Sequence, residues 1–227
     1  MLKVADVECT VLRSARRSVA IFIERDGSVS VRAPHGVTED QLAKVVEKKL
    51  PWIYRNRALW RELNREAPRR EFVSGESFYV AGQPCILDVR EDAAEPIALV
   101  EGRLILRRSH QNKAEELLRA LYRNLGYERL PAVISRFASR MGVTPGRLRV
   151  WELQNRWGSC SDKGNLNFHW KVMALPADVL EYLVVHELAH LKQRNHTKEF
   201  WCEVEKVMPN WEVAANWLRE NGAGRSF

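Results

Sequence analysis

The segment after Pro176 places the strongest restriction on what this chain can fold into. Its apolar residues recur at helical spacing and give a broad apolar face, while Asp178 stands in the first turn, where an acid favours the positive end of a helix. These apolar residues are Val179, Leu180, Leu183, Val184, Leu188 and Leu191. A helix of this composition has to be buried, so the surrounding chain must fold around it.

Three polar side chains interrupt this apolar helix: His186, Glu187 and His190, in the pattern HELAH. Residues four apart lie on one face of a helix with Cβ atoms about 5–6 Å apart, so both imidazoles can bind one cation. Glu187 lies about 100° further round the helix and can reach a metal-bound water without binding the metal itself. Because burying these groups without a shared task would cost desolvation free energy, the pattern predicts a metal centre.

A catalytic zinc usually has three protein ligands, so a third ligand is expected near the two histidines. His196 is the favoured candidate if the helix stops before it, because a continued helix would carry it about 9 Å along the axis. We expect Asn195, which tolerates the left-handed conformation, to end the helix and Thr197 to start the next one. The rival ligands on that next helix are Glu199, Glu203 and Glu205.

The first part of the chain begins with a strand pattern and continues with a helical one. Alternating β-branched residues predict strands at 8–12, 18–23 and 29–31, which we interpret as a small antiparallel meander. A helix is then expected from Thr38, with an interruption at Pro51.

From residue 71 the period of two returns. It predicts two hairpins, one around Ala81-Gly82 and one around Glu101-Gly102. Helical spacing follows over 112–141, with a break or a new start at Pro131, and strands are expected at 148–153 and 166–173. No internal repeat is apparent in the sequence.

Together these patterns predict an α+β fold. We expect a β-rich N-terminal part with hairpins over residues 1–110, followed by a mainly helical, zincin-like catalytic part with a small sheet over residues 111–227. Hydrophobic residues make up 45% and charged residues 29%, a balance typical of a folded globular protein.

Charge and cysteine usage narrow the choice of partners and compartment. The formal net charge of +7 allows a nucleic acid or another anionic partner. No apolar run approaches the roughly 18 residues that span a bilayer, no secretory signal is visible, and the four cysteines form no CxxC pair. We therefore expect a cytoplasmic protein with no membrane partner; the sequence gives no indication of its oligomeric state.

The stretch RWGSCSDKGNLNFHWKVMALPADVLEYLVVHELAHLKQRNHTKEFW, residues 156–201, resembles the YgjP-like metallopeptidase family, which is related to the SprT-like zinc proteases. A WGSCS loop, a strand, a proline-led helix with HELAH and a downstream NH[ST]xxFW occur in one order. The resemblance implies a zinc metallopeptidase with His186, His190 and His196 as ligands and Glu187 as the catalytic acid/base.

In zinc proteases of this general plan, an edge strand before the metal helix can pair with an extended peptide, and we expect residues 166–173 to be that strand. Arg156, His169 and Tyr182 are the candidate substrate-binding residues. The leading hypothesis is hydrolysis of peptide bonds in a peptide or protein substrate by a Glu187-activated, metal-bound water. The alternatives are a metal-dependent hydrolase of a non-peptide substrate, such as a nucleotide phosphoanhydride, and a DNA-associated SprT-like protease.

Overall fold

The computed structural model describes residues 1–24, 26–65, 70–153 and 156–222. They form an α+β fold with a β-rich N-terminal part and a helical part that contains a small sheet, which confirms the predicted fold class. The chain divides into two compact units, Met1–Ala67 and Pro68–Phe227. The division near residue 110 that the sequence suggests falls inside the second unit and stays a prediction.

The first unit is a four-stranded sheet followed by one long helix. Its elements are β1 (Leu2–Val4), β2 (Val7–Ser14), β3 (Ala20–Ile23), β4 (Val29–Pro34) and α1 (Glu39–Arg65). The strand order is β1-β2-β4-β3, and β2 runs parallel to β4, so the predicted antiparallel meander is wrong. The β3–β4 hairpin folds back so that β4, with Val29, Val31 and Ala33 fully buried, occupies the centre of the sheet, and the less buried β3 lies at its edge.

Helix α1 covers one face of this sheet without a break. Its side chains Leu42, Val46 and Ile53 are fully buried in the core of the unit. The interruption predicted at Pro51 is wrong, because the helix runs through this residue. A proline inside a helix costs about 3 kcal/mol, but Val46 and Ile53, on either side of Pro51, are packed in the same core and hold both halves of the helix in place.

The second unit begins with another four-stranded sheet and a long helix. These elements are β5 (Ser77–Val80), β6 (Gln83–Arg90), β7 (Ile97–Val100), β8 (Arg103–Arg107), a 3-10 helix (Arg108–Lys113) and α2 (Ala114–Met141). Both predicted hairpins are confirmed, since β5 pairs with β6 and β7 with β8 in antiparallel fashion. The break predicted at Pro131 is wrong, because Leu130 and Ile134 are buried on either side of it and α2 continues.

The two four-stranded sheets repeat one architecture that the sequence did not reveal. The second sheet has the order β5-β6-β8-β7, with the same alternation of antiparallel, parallel and antiparallel pairs as the first. The first hairpins also match in register, Leu2 opposite Cys9 in one and Phe78 opposite Cys85 in the other, with both cysteines buried. The chain therefore contains two copies of a ββββα module.

The remaining elements of the second unit build the part that carries the histidines. They are β9 (Leu148–Trp151), β10 (Gly158–Cys160), β11 (Leu166–His169), a 3-10 helix (Trp170–Ala174), α3 (Ala177–Ala189), α4 (Lys198–Val207) and α5 (Trp211–Asn221). The strand order is β10-β11-β9, so β11 is the central strand and ends at His169. The expected edge strand at 166–173 is therefore wrong, and β10 occupies an edge instead.

Helix α3 lies at the centre of the second unit. Val179, Val184, Val185 and Leu188 have no exposed surface, which confirms that this helix is buried. It packs on α2, α4, α5 and β10. Among the described residues, no helix is both long and apolar enough to cross a membrane.

The β5–β6 turn approaches the start of α3 so closely that only glycine fits. Gly82 has φ +76°, and an added Cβ would lie 2.7 Å from the Pro176 Cα atom. Gly102 has φ +77° in the β7–β8 turn but faces open space.

We therefore expect Gly102→Ala to lower the free energy of unfolding by about 1 kcal/mol, which is the cost of the left-handed backbone. Gly82→Ala should cost roughly 1–3 kcal/mol more, because backbone atoms must also move apart. Urea unfolding of both variants measures this difference, and equal midpoints would contradict the close approach.

Candidate metal centre

Helix α3 brings His186 and Glu187 into the core and ends as it reaches His190. The last helical residue is Ala189, and His190 is the C-cap with φ −64° and ψ −17°. The prediction that Asn195 ends the helix in a left-handed conformation is wrong, since Asn195 is not among the residues with positive φ. The N–H groups of residues 191–193 bond to the carbonyls of Leu188 and Ala189, so a tight turn ends the helix earlier.

The loop after His190 folds back over the end of α3 and carries His196 to the other two histidines. The Arg194 guanidinium holds this loop by donating to the carbonyls of Ser161, at 2.9 Å, and Asp162, at 2.8 Å. Thr197 is the N-cap residue of α4, as predicted. The Arg194 hydrogen bonds therefore hold the loop before His196, and the start of α4 holds it after His196.

The three histidines converge on one point. Their ligand nitrogens all lie within 4.8 Å of one another, and Nε2 of His186 and Nε2 of His196 are 2.9 Å apart. Zn–N bonds of about 2.0–2.1 Å place the nitrogens of a tetrahedral site roughly 3.3–3.4 Å apart. The three nitrogens thus fit one tetrahedral ion after small adjustments.

The rival glutamates do not join this cluster. Among the described residues, the group that could hold a metal consists of the three histidines alone. Glu203 instead accepts hydrogen bonds from Lys192 and Lys206, which hold the pKa of its carboxyl below the usual range. This ion pairing leaves His196 as the side chain best placed to be the third ligand.

Aromatic side chains from α4 support the histidines. Phe200 is fully buried, and its ring centroid lies 5.0 Å from that of His186 and 4.7 Å from those of His190 and His196. Trp201 lies 5.9 Å from both His186 and His196. These rings restrict how far the imidazoles can rotate.

The surroundings keep the imidazoles in the form that binds metals. Burial, reinforced by charge repulsion from His190 and His196, lowers the pKa of His186 to about 3. Burial also lowers the pKa of His190 below its ordinary value. The neutral imidazole is the metal-binding form, so these two pKa shifts favour metal binding by His186 and His190.

The second ring nitrogens differ in their partners. Nδ1 of His190 lies 3.2 Å from the Gln193 carbonyl oxygen, so it can donate there and leave Nε2 free for a metal. Nδ1 of His186 is buried and has no hydrogen-bond partner among the described residues. Nε2 of His186 faces the cluster, so the arrangement fits a metal bound through this nitrogen.

Glu187 lies beside the cluster in a tight space next to β10. Its side chain is buried, and burial raises its pKa to about 7 against the opposing effects of the Arg156 charge and a hydrogen bond from the Cys160 N–H. A Cβ atom on Gly158 would lie 2.7 Å from Glu187 Oε1. Oε2 is buried with no partner among the described residues, so it can take up a proton.

The three candidate substrate-binding residues lie in different surroundings. Arg156 is exposed and close enough to influence the charge of Glu187. Tyr182 is buried, with its ring centroid 5.8 Å from that of His186 and its ring stacked on Trp211. These positions adjoin the cluster, and a substrate-binding role stays a prediction for both residues.

His169 is fixed in the interior at the end of β11. Its Nδ1 accepts the Lys171 N–H at 3.0 Å, and its Nε2 lies 2.9 Å from Glu152 Oε1. Burial raises the pKa of Glu152, but hydrogen bonds from Trp170 and His169 outweigh it and hold this pKa below the usual range. Both ring nitrogens are therefore engaged within the protein, and a substrate-binding role for His169 stays a prediction.

Sequence reasoning missed three residues that shape the site: Gly158, Arg194 and Phe200. The glycine of the WGSC loop was a visible signal, since such a residue often marks a close approach of the backbone. Nothing local indicated that Arg194 would reach the β10–β11 turn, because that contact depends on tertiary folding.

Three imidazoles whose ligand nitrogens converge, with a buried carboxyl group beside them, form a site that could hold a metal ion. The chain belongs to the YgjP-like family, since the family model described as the YgjP-like metallopeptidase domain matches residues 17–221. At the level of the family, the protein is therefore a metallopeptidase. No curated protein matches the chain.

One solved structure that the chain is similar to is the crystal structure of the metallopeptidase zymogen of Pyrococcus abyssi abylysin. The two chains are 26% identical, and the match covers 39% of this chain and 90% of the other, with a TM-score of 0.37.

Removal of the Arg194 side chain should loosen the loop that carries His196. We expect Arg194→Ala to weaken zinc affinity about 10–100-fold, as is typical when a group that orients a ligand is lost. Lys198→Ala, an exposed change in the same region, is the matched control and should leave the affinity unchanged. Competition with a chromophoric chelator measures both, and equal affinities would show that the loop does not need this anchor.

Proposed function

We propose that this protein is a zinc-dependent peptidase that hydrolyses peptide bonds with Glu187 as acid and base. The observation that carries the proposal is the convergence of three histidine ligand nitrogens within 4.8 Å, with a buried carboxyl group next to one of them on the same helix. Zinc is proposed because three imidazole ligands with an open fourth position form a recurrent catalytic zinc site, although imidazoles also bind nickel, copper and iron.

Zinc held by His186, His190 and His196 would polarise the scissile carbonyl and make water a nucleophile at neutral pH. Glu187 supplies the proton transfers. Its Oε2 takes a proton from the attacking water and passes it to the nitrogen of the leaving amine. The hydrogen bond from the Cys160 N–H keeps the other side of this carboxyl group in place.

Strand β10 is the proposed binding edge for the substrate backbone. It lies at the edge of the three-stranded sheet and pairs on its inner side with β11. A peptide that adds to its outer side would receive sequence-tolerant hydrogen bonds. The close approach of Gly158 to Glu187 supports this proposal, because a peptide along β10 would pass beside the carboxyl group.

Arg156, near Glu187, and Tyr182, near His186, are proposed to contact the substrate. The exposed guanidinium of Arg156 is suited to donate to a peptide carbonyl near Glu187. The Tyr182 ring stacks on Trp211, and the rings of Trp211 and Trp201 stack with centroids 4.2 Å apart. This aromatic surface suits an apolar side chain of the substrate.

The other sequence-based hypotheses stay predictions. Among the described residues, no feature of the site favours a nucleotide phosphoanhydride or DNA over a peptide. A cytoplasmic location is also a proposal; it agrees with the four free cysteines, Cys9, Cys85, Cys160 and Cys202.

The test of the proposal is a change that removes the acid/base and keeps the metal ligands. Glu187→Gln should lower the rate of casein or peptide hydrolysis by about 10²–10⁴-fold, the usual contribution of general acid–base catalysis. The zinc content of the variant should equal that of the wild type.

Glu181→Gln is the matched control on the same helix. It removes only a half-exposed ion pair with Arg136, so activity should be close to the wild-type level. A Glu187→Gln protein that retains zinc and still cleaves peptides at the wild-type rate would eliminate the proposed mechanism.

A further inference from the structure

A groove in the first unit runs between the edge strand β3 and helix α1. It is lined by Val19, Ile21, Val45, Lys49 and Trp52, and its cavity measures about 260 Å³. Trp52 is 42% exposed and Val45 37%, although both belong to a helix whose opposite face is fully buried. A large exposed indole beside other apolar side chains often marks a surface that binds a partner.

Strand β3 has an available edge next to this groove. It pairs with β4 on one side, and no described strand pairs with its other side. Ile21 stands opposite the buried Val31, so it points to the face of the sheet that α1 covers. A strand added to β3 would therefore direct every second side chain into the groove and toward α1.

The corresponding region of the second module shows what the groove lacks. There, half-buried Leu117, Leu121 and Leu125 of α2 pack with Ile97 and Leu99 of β7 against the core. In α1, Val45 lies three residues after the buried Leu42, just as Leu121 in α2 lies three residues after the buried Leu118. Val45 and Lys49 of α1 occupy the positions that Leu121 and Leu125 have in α2. The space between the helix and the edge strand is therefore left open in the first module.

The charge of the groove indicates what kind of polypeptide segment fits into it. Lys49 is the one charged side chain among the five lining residues, and among the residues that the structure describes no acidic group lines the groove. Basic side chains also outnumber acidic ones over residues 1–67. An occupant that combines apolar and acidic side chains would match both the indole and the ammonium group.

We propose that the β3 edge and this groove bind an extended acidic segment of another protein by strand addition. The backbone of that segment forms a ladder with the outer edge of β3. An apolar side chain of the segment enters the cavity against Trp52, and an acidic neighbour on the same face reaches Lys49. The site lies outside the metal centre and does not depend on the peptidase activity.

The test uses the full-length, zinc-loaded protein with Glu187→Gln as background, so that the probe is not hydrolysed. The probe is a fluorescein-labelled heptapeptide that alternates glutamate with valine and has phenylalanine at its centre. Fluorescence polarisation should show saturable binding. A peptide with lysine in place of glutamate should bind at least about tenfold more weakly, and N-methylation of alternate residues should abolish binding because it removes ladder donors.

Two added substitutions locate the binding site. Trp52→Ala should weaken binding about 30-fold, as loss of a central aromatic anchor does, and Lys49→Glu about tenfold. Lys48→Glu is the matched control, with the same change of charge at the neighbouring exposed position outside the groove, and should change the affinity less than about twofold. Circular dichroism confirms that each variant is folded.

Several outcomes would overturn the proposal. They are absence of binding up to about 1 mM peptide, equal binding of the N-methylated peptide, and affinity that neither Trp52→Ala nor Lys49→Glu lowers. A concentration-dependent dimer that Trp52→Ala dissociates would show that the occupant is a second copy of this chain. A single-stranded oligonucleotide that displaces the peptide and depends on Trp52 would identify a nucleic-acid site instead.

Discussion

Burial of helix α3 is the constraint on which the rest of the second unit depends. Its apolar side chains, led by Val184, Val185 and Leu188, pack on α2 and on the elements around the small sheet. A helix enclosed in this way holds His186 and Glu187 in a low-dielectric interior, where water cannot stabilise their charged forms. The same burial therefore organises the core and keeps the imidazole neutral and the carboxyl group able to hold a proton.

The relative placement of His186, Glu187 and His190 could be predicted from the sequence, because the spacing of HELAH on a helix fixes it. The fold class and the two hairpins were also predictable, since Ala81-Gly82 and Glu101-Gly102 are strong turn signals between alternating strands. The end of α3 was not predictable, because the tight turn after Ala189 depends on backbone hydrogen bonds that no residue type in the sequence indicates. His169 could likewise be placed on a strand, but its contact with the half-exposed Glu152 could not be predicted.

Other differences arise because tertiary packing outweighs local preference. Pro51 and Pro131 are strong helix breakers in isolation, yet each lies in a continuous helix whose core residues are buried on both sides. The parallel pairing of β2 with β4 and of β6 with β8 depends on long-range contacts, so the repeated ββββα module is visible in the topology and not in the residue pattern. The second copy of the module supplies the helix on which α3 packs.

The most direct test of the metal centre is the zinc content of the purified protein, measured by inductively coupled plasma mass spectrometry. We expect about one zinc per wild-type chain, its loss in His186→Ala, His190→Ala and His196→Ala, and its retention in the exposed control His35→Ala. Zinc retained at the wild-type level by His196→Ala would move the third ligand to another residue. A wild-type protein that holds no metal after reconstitution with zinc would contradict the account.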